Sequence, residues 1–333
     1  MPMKGKRVLV TGGSGFIASH LCRRLVDAGA DLTVLVKYNS VIDNVRLVGI
    51  WDQINIIESD LRNPDSLRPL SEIRPQIIYH MAAYNHVGDS FSQVSEAFDS
   101  NGKGTVNLLE SYGDYERFIY ISTSEVYGLQ TTVPFQEDAT PAPLSPYAVG
   151  KYAGEVYSRM MWNSHNKPVV MIRPFNCYGP YQSNRAVIPE LITKCLQNAD
   201  VVTTEGLQTR EFNFVSNLID GFMMAGSCPN LEGQTINLGC GREVSIRDLV
   251  HMIHTLTGSS SELKIGKLPT RSGEIIRMSA DRTRAWELMG WEPKVHLEQG
   301  LATTIEWYRR YLQQFGDANS DLALLGQHEE PRD

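Results

Sequence analysis

Tyr147 and Lys151 stand four residues apart in Ser145-Pro146-Tyr147-Ala148-Val149-Gly150-Lys151. That spacing puts both side chains on one face of a helix that starts near the proline. A phenol beside an ammonium has a chemical use. The cation lowers the phenol pKa towards neutrality, so the oxygen can take a hydroxyl proton while the adjoining carbon gives up hydride. Tyr and Lys also meet at this spacing by chance on many helices, so the pair draws its weight from its company. Ser122-Thr123-Ser124-Glu125-Val126-Tyr127-Gly128 supplies that company at the end of an apolar run. Thr123 offers a hydroxyl to the reacting group. Glu125 offers a carboxylate able to remove a proton from carbon next to a newly formed ketone, the alternative being a solvated glutamate in a loop.

Hydride needs an acceptor, and Val8-Leu9-Val10-Thr11-Gly12-Gly13-Ser14-Gly15-Phe16-Ile17-Ala18 places a glycine cluster between a strand and a helix that begins near Gly15. Gly12 and Gly15 let the backbone approach a pyrophosphate, whose charge rests on the N–H groups of the first helical turn, at Phe16 and Ile17. Ala18 is the small residue where helix and strand pack. An acid at the end of the second strand would mark NAD, but the sequence there is Val36-Lys37-Tyr38-Asn39-Ser40. Lys37, Asn39 and Ser40 suit a 2′-phosphate and so NADP over NAD; a solvated surface lysine is the other reading of Lys37. Asp60, followed by Leu61, either accepts from the adenine amino group or caps the next helix.

These residues need a sheet to hold them. Arg7–Thr11, Asp31–Val36, Asn55–Glu58, Gln76–His80, Arg117–Ser122 and Val169–Arg173 read as strands, alternating with helical patterns at Ile17–Ala28, Ser95–Ser111 and Tyr147–Ser164. The alternation predicts an α/β fold, a doubly wound parallel sheet. Residues 1–175 form its bulk, with later segments interleaved. Residues 176–315 read as a smaller substrate-capping region, and 316–333 as a polar tail. A formal net charge of −7 argues against nucleic acid as a partner. The five cysteines form no CxxC pair, so neither zinc nor a disulfide framework is expected. No membrane-spanning run and no signal segment are read, and the expectation is a cytoplasmic enzyme.

Together, Thr11-Gly12-Gly13-Ser14-Gly15-Phe16, Tyr147 with Lys151, and Arg173-Pro174-Phe175-Asn176-Cys177-Tyr178-Gly179-Pro180 resemble the extended short-chain dehydrogenase/reductase family over nearly the whole chain. The resemblance implies a Rossmann-type sheet with a smaller C-terminal α/β substrate domain. It also implies a nucleotide-diphosphate sugar substrate, a tightly bound and recycled NAD or NADP, and a homodimer built on Ser95–Ser111 and Tyr147–Ser164. Ser122 to Gly128 resembles the nucleotide-sugar 4,6-dehydratases of the GDP-mannose type, in which threonine and glutamate join tyrosine and lysine. The dTDP-glucose dehydratases carry Asp where this chain has Ser124, which leaves Glu125 to act as base and acid in turn. Arg173 to Pro189, with Lys37 to Ser40, is similar to the N-acetylhexosamine 4,6-dehydratases.

The same resemblance places Ser124, Asn176, Arg185, Arg210 and Arg277 at the substrate. Each arginine could instead make a surface ion pair. It sets His80, Ala82 and Ala83 beside the cofactor, and His86 and Ser90 at the sugar; a hydrogen-bonded structural histidine is the other reading of His86. The expected reaction is 4,6-dehydration. A 4-epimerase and a UDP-glucuronate-type decarboxylase, with Arg185 as its cation, are the rival enzymes. An NAD(P)-binding redox sensor is the non-enzymatic rival, against which the joint presence of Thr123, Glu125, Tyr147 and Lys151 weighs.

Overall fold

The computed structural model describes residues 3–37, 44–269 and 275–316. Asn39, Ser40 and the polar tail lie outside the described residues.

Seven strands form one parallel sheet: β1 (Arg7–Thr11), β2 (Asp31–Val36), β3 (Asn55–Glu58), β4 (Ile77–His80), β5 (Arg117–Ile121), β6 (Val169–Pro174) and β7 (Thr235–Leu238). Their order across the sheet is β7-β6-β5-β4-β1-β2-β3. This is the Rossmann-type doubly wound sheet expected. The order reverses between β1 and β4, and such a switch point opens a crevice at the carboxyl ends of the strands.

Alternation along each strand builds two cores. Val8, Val10, Val34 and Val36 face one layer with Ile119, Ile121, Val170 and Ile172. Leu9, Leu35, Ile78, Phe118, Tyr120 and Met171 face the other. The first layer is covered by the helices Phe16–Asp27 and Val215–Ala225, which pack on each other. The second is covered by Gly104–Ser111 and Pro146–His165.

The sequence reading places six strands within one or two residues of their observed bounds. It misses β7, because Thr235–Leu238 sits among the Gly- and Asn-rich segments beyond Asn176; the chain returns there to pair with β6, from Thr235 opposite Met171 to Leu238 opposite Pro174. The single helix read over Ser95–Ser111 is two helices, Val94–Phe98 and Gly104–Ser111, joined by a π-turn at Asp99–Lys103. The later segments add small sheets. In one, Thr209–Glu211 pairs with Glu243–Ser245 and with Arg277–Met278.

Ser145 caps the Pro146–His165 helix by accepting the Ala148 N–H at 3.1 Å, with Pro146 in the first turn and Asn166 ending it at φ 53°. Gly154 lets this helix approach the sheet and its neighbour. A Cβ there would lie 2.5 Å from the Tyr120 hydroxyl and 2.9 Å from both the Asn101 carbonyl and the Thr105 hydroxyl. Among the described residues no helix is long and apolar enough to cross a membrane.

Candidate active site

A cleft runs along the carboxyl ends of the strands. Two cavities of about 550 and 330 Å³ share Gly12, Gly15, Met81, Ala83 and Asn85 and so form one trough. Gly12 has φ +68°, and a Cβ there would come within 2.7 Å of the Ala82 Cα, so only glycine turns at this point. The helix Phe16–Asp27 starts after Gly15 with no side-chain cap, and Gly15, Phe16, Ile17 and Ala18 all line the cavity. First-turn N–H groups therefore face space that suits a pyrophosphate. Lys37, Asp60, Leu61, Ala82 and His86 line the larger cavity. Thr123, Ser124, Glu125, Tyr147, Lys151 and Asn176 line the smaller one.

The end of β4 is fixed by a directed hydrogen-bond chain. Thr11 Oγ1 accepts the Met81 and Ala82 N–H groups at 3.1 and 3.0 Å, so its own proton goes to His80 Nδ1 at 2.8 Å. His80 Nε2 then donates to Thr105 Oγ1 at 2.9 Å, which donates to the Asn101 carbonyl at 2.6 Å. Burial, and secondarily the Lys151 charge, hold the His80 pKa well below its ordinary value, so the ring is neutral. His80 lines neither cavity; it shapes the loop at Met81 to Ala83 that does. Asn101, in the π-turn, exchanges hydrogen bonds with the Tyr84 backbone at 2.7 and 3.0 Å and donates to the Tyr147 carbonyl at 3.5 Å. Sequence reasoning passed over Asn101, although a buried Asn inside a helical pattern was a usable signal.

Tyr147 and Lys151 share the lower cavity with Thr123 and Glu125. Thr123 caps the short Ser124–Tyr127 turn by accepting the Glu125 N–H at 3.2 Å. Glu125 stands in that turn, lines the same cavity, and its charge raises the Tyr147 pKa. Lys151 is 2% exposed, with Nζ 4.6 Å from the Tyr120 ring centroid. Burial lowers its pKa to about 7, against the pull of Glu155. The expectation that the ammonium lowers the phenol is corrected here. Burial raises Tyr147 to about 12, Thr123 hydrogen bonding works against that rise, and Glu125 adds to it.

Beneath the site lies a buried ion pair. Arg173 donates to Glu155 Oε1 at 2.6 Å and to Oε2 at 3.1 Å, and Ser122 Oγ donates to Oε2 at 2.6 Å. Burial opposes ionisation of Glu155, but these bonds hold its pKa below the usual value. Glu155 follows Lys151 by four residues, a spacing that was legible in the sequence and not used.

The remaining candidates disperse. Ser124 lines the cavity, but its hydroxyl points to Met278 Sδ at 3.5 Å. Asn176 donates to the Glu211 carbonyl at 3.3 Å. His86 caps the Val87–Ser90 turn, accepting the Asp89 N–H at Nδ1 at 3.1 Å, which is the structural role. Arg185 holds Asp89 at 2.9 Å. Arg210 and Arg277 sit on adjacent strands outside both cavity linings. Arg210 donates to the Thr209 carbonyl at 2.8 Å, and Arg277 pairs with Glu243. Arg62 and Glu96 line the larger cavity and were not foreseen.

The sequence pattern of the GDP-mannose 4,6 dehydratase family matches residues 9–304. The chain belongs to this family, within the extended short-chain dehydrogenases/reductases. It is 34% identical to a UDP-glucose 4-epimerase of Mycolicibacterium smegmatis, over 92% of this chain and all of that protein. It is 32% identical to a dTDP-D-glucose 4,6-dehydratase of Mus musculus, over 95% of this chain and 92% of that one. The crystal structure of UDP-glucuronic acid 4-epimerase from Bacillus cereus, in complex with UDP-glucuronic acid and NAD, superposes with a TM-score of 0.84 at 29% identity, covering 91% of this chain and 99% of that one. Relatives of different reaction type thus stand at similar distance.

The buried pair yields a prediction. Arg173→Met takes away the buried partner of Glu155 and leaves the carboxylate only Ser122 and the more exposed Arg159, and should cost about 3–5 kcal/mol in urea unfolding. Adding Glu155→Leu should recover part of that loss; a single variant as stable as wild type would contradict the burial described.

Proposed function

We propose that the protein is an NAD(P)-dependent nucleotide-sugar 4,6-dehydratase. The observation that carries this reading is a carboxylate, Glu125, beside the Tyr147 phenol in the same cavity as Lys151 and Thr123. Oxidation or epimerisation at C4 needs the phenol and the lysine but no second base; elimination across C5 and C6 needs one.

The residues at the glycine turn, the first turn of Phe16–Asp27 and the loops after β2, β3 and β4 would hold the dinucleotide. When bound, it supplies hydride acceptance from C4 and hydride return to C6. Tyr147 takes the proton of the 4-hydroxyl, with Thr123 hydrogen-bonded to the same oxygen. The ketone acidifies the C5 hydrogen, which Glu125 removes. The carboxylic acid so formed gives its proton to the departing 6-hydroxyl, and water leaves. This double role follows from Ser124, a residue with no acid to give, standing just before Glu125. Hydride return to C6 is matched by a proton taken up at C5 from solvent, and the product is a 4-keto-6-deoxy sugar with no net redox change.

Asn176 lines the cavity and is offered to the sugar nucleotide; Arg210 and Arg277, on adjacent strands but one register step apart, are offered to its diphosphate. Arg185, the cation a decarboxylase would need, is engaged by Asp89, which lends that rival no support. Val94, Phe98, Val149 and Val156 are exposed apolar residues on the helices that cover one face of the sheet, and they are offered as the face that pairs with a second copy.

Incubation with UDP-, GDP-, CDP- and dTDP-sugars, followed by mass spectrometry and NMR, should show loss of one water and a 4-keto signal for at least one donor. Glu125→Gln should lower that rate about 10²–10⁴-fold. An isobaric product would assign the epimerase, and full turnover by Glu125→Gln would remove the carboxylate from the reaction.

The two pKa directions make a second prediction. With Lys151 at about 7 and Tyr147 at about 12, the pair holds one proton across the intervening range, and one arrangement of that proton is phenolate with ammonium. The value of kcat/KM should therefore rise with pH through about 7, with the slope of one proton. Lys151→Met should abolish that limb and move activity towards the Tyr147 value of about 12; a variant that keeps the wild-type limb would contradict the coupling.

A further inference from the structure

The larger cavity holds a network of four charges at the end where β2 and β3 finish. Lys37 directly follows β2, Asp60 and Arg62 follow β3, and Glu96 comes from the helix Val94–Phe98; all four line the same space. Glu96 Oε1 lies 3.2 Å from Lys37 Nζ, and its Oε2 accepts from Arg62 Nη1. Arg62 Nε also reaches both Asp60 oxygens, at 2.9 and 3.0 Å. The Arg62 hydrogen bonds keep the Asp60 pKa below its ordinary value, so that carboxylate is charged at neutral pH. Two cations and two carboxylates leave this network without net charge.

In a doubly wound sheet the end of β2 is where a dinucleotide presents its adenosine ribose, and the group there separates a 2′-hydroxyl from a 2′-phosphate. Lys37 alone suggests a phosphate. The structure supplies the missing partner: an acid absent from β2 arrives from a helix about sixty residues later. A 2′-phosphate would have to displace Glu96 from two cations, or accept its repulsion at close range. A ribose diol meets neither cost and can donate to the carboxylates.

We propose that Glu96 sets the cofactor preference of this chain: its carboxylate occupies the Lys37 and Arg62 cations that a 2′-phosphate would require, so the site takes NAD over NADP. The proposal rests on the dinucleotide site alone and not on the sugar chemistry.

The test is binding without any sugar. Affinities of NAD and NADP are measured by calorimetry on one preparation each of wild type, Glu96→Gln and Glu96→Gln/Lys37→Met. Wild type should bind NAD at least about tenfold more tightly than NADP, as expected for a charge-assisted contact. Glu96→Gln should raise the NADP-to-NAD affinity ratio at least about tenfold, with NADP binding weakened by added salt. Adding Lys37→Met should take that gain away. Wild type preferring NADP, or a ratio unchanged in Glu96→Gln, overturns the proposal. Because the ratio compares two ligands on the same folded molecules, loss of some protein to misfolding does not imitate either result. A dehydratase reading that fails on its sugar panel leaves this result standing.

Discussion

Glu155 and Arg173 meet at 2.6 Å, 0% and 1% exposed, in a position where each would be costly alone. The pair joins the helix that carries Tyr147 and Lys151 to β6, while Ser122 joins the same carboxylate to the end of β5, one residue before Thr123. The helix bearing Tyr147 and Lys151, the end of β5 that leads into Thr123, and β6 are thus tied to a single buried charge. One turn closer to the cleft, the Glu155 charge also acts on Lys151, holding up a pKa that burial pulls down. Positioning and electrostatics share one anchor.

That anchor explains why the sheet and the site are so differently legible in the sequence. Strands buried on both faces, such as β1 and β2, read as short apolar runs with bounds that match, and the partly buried edge strand β3 is found through its Ile56-Ile57 pair. Tyr147 with Lys151, and Gly12 with Gly15, are local patterns whose chemistry follows from spacing. Glu155 had the right spacing too, but its partner lies eighteen residues on in another strand, and only folding pairs them. β7 was hidden because Thr235–Leu238 stands among Gly- and Asn-rich segments, more than sixty residues beyond the strand it pairs with. Arg210 and Arg277 were chosen as cations suited to phosphate. Their positions on neighbouring strands were not readable, and neither was the Glu243 partner of Arg277.

The surroundings of Lys37 were illegible for the same reason: the cation is visible in the sequence and its distant acid, Glu96, is not. The reading of Tyr147 failed differently. Proximity of an ammonium suggested a lowered phenol pKa, yet Lys151 is buried and Tyr147 half-buried, and loss of solvent disfavours the charged form of each. The two shifts therefore oppose, one up and one down.

In the proposed reaction Glu125 removes the C5 hydrogen of a 4-keto sugar. Once C5 gives up its hydrogen and hydride returns to C6, the hydrogen restored at C5 must come from solvent. Product formed in deuterium oxide and examined by NMR and mass spectrometry should therefore carry one deuterium at C5. Product formed without deuterium at C5 would contradict the claim and place the chemistry at C4 alone.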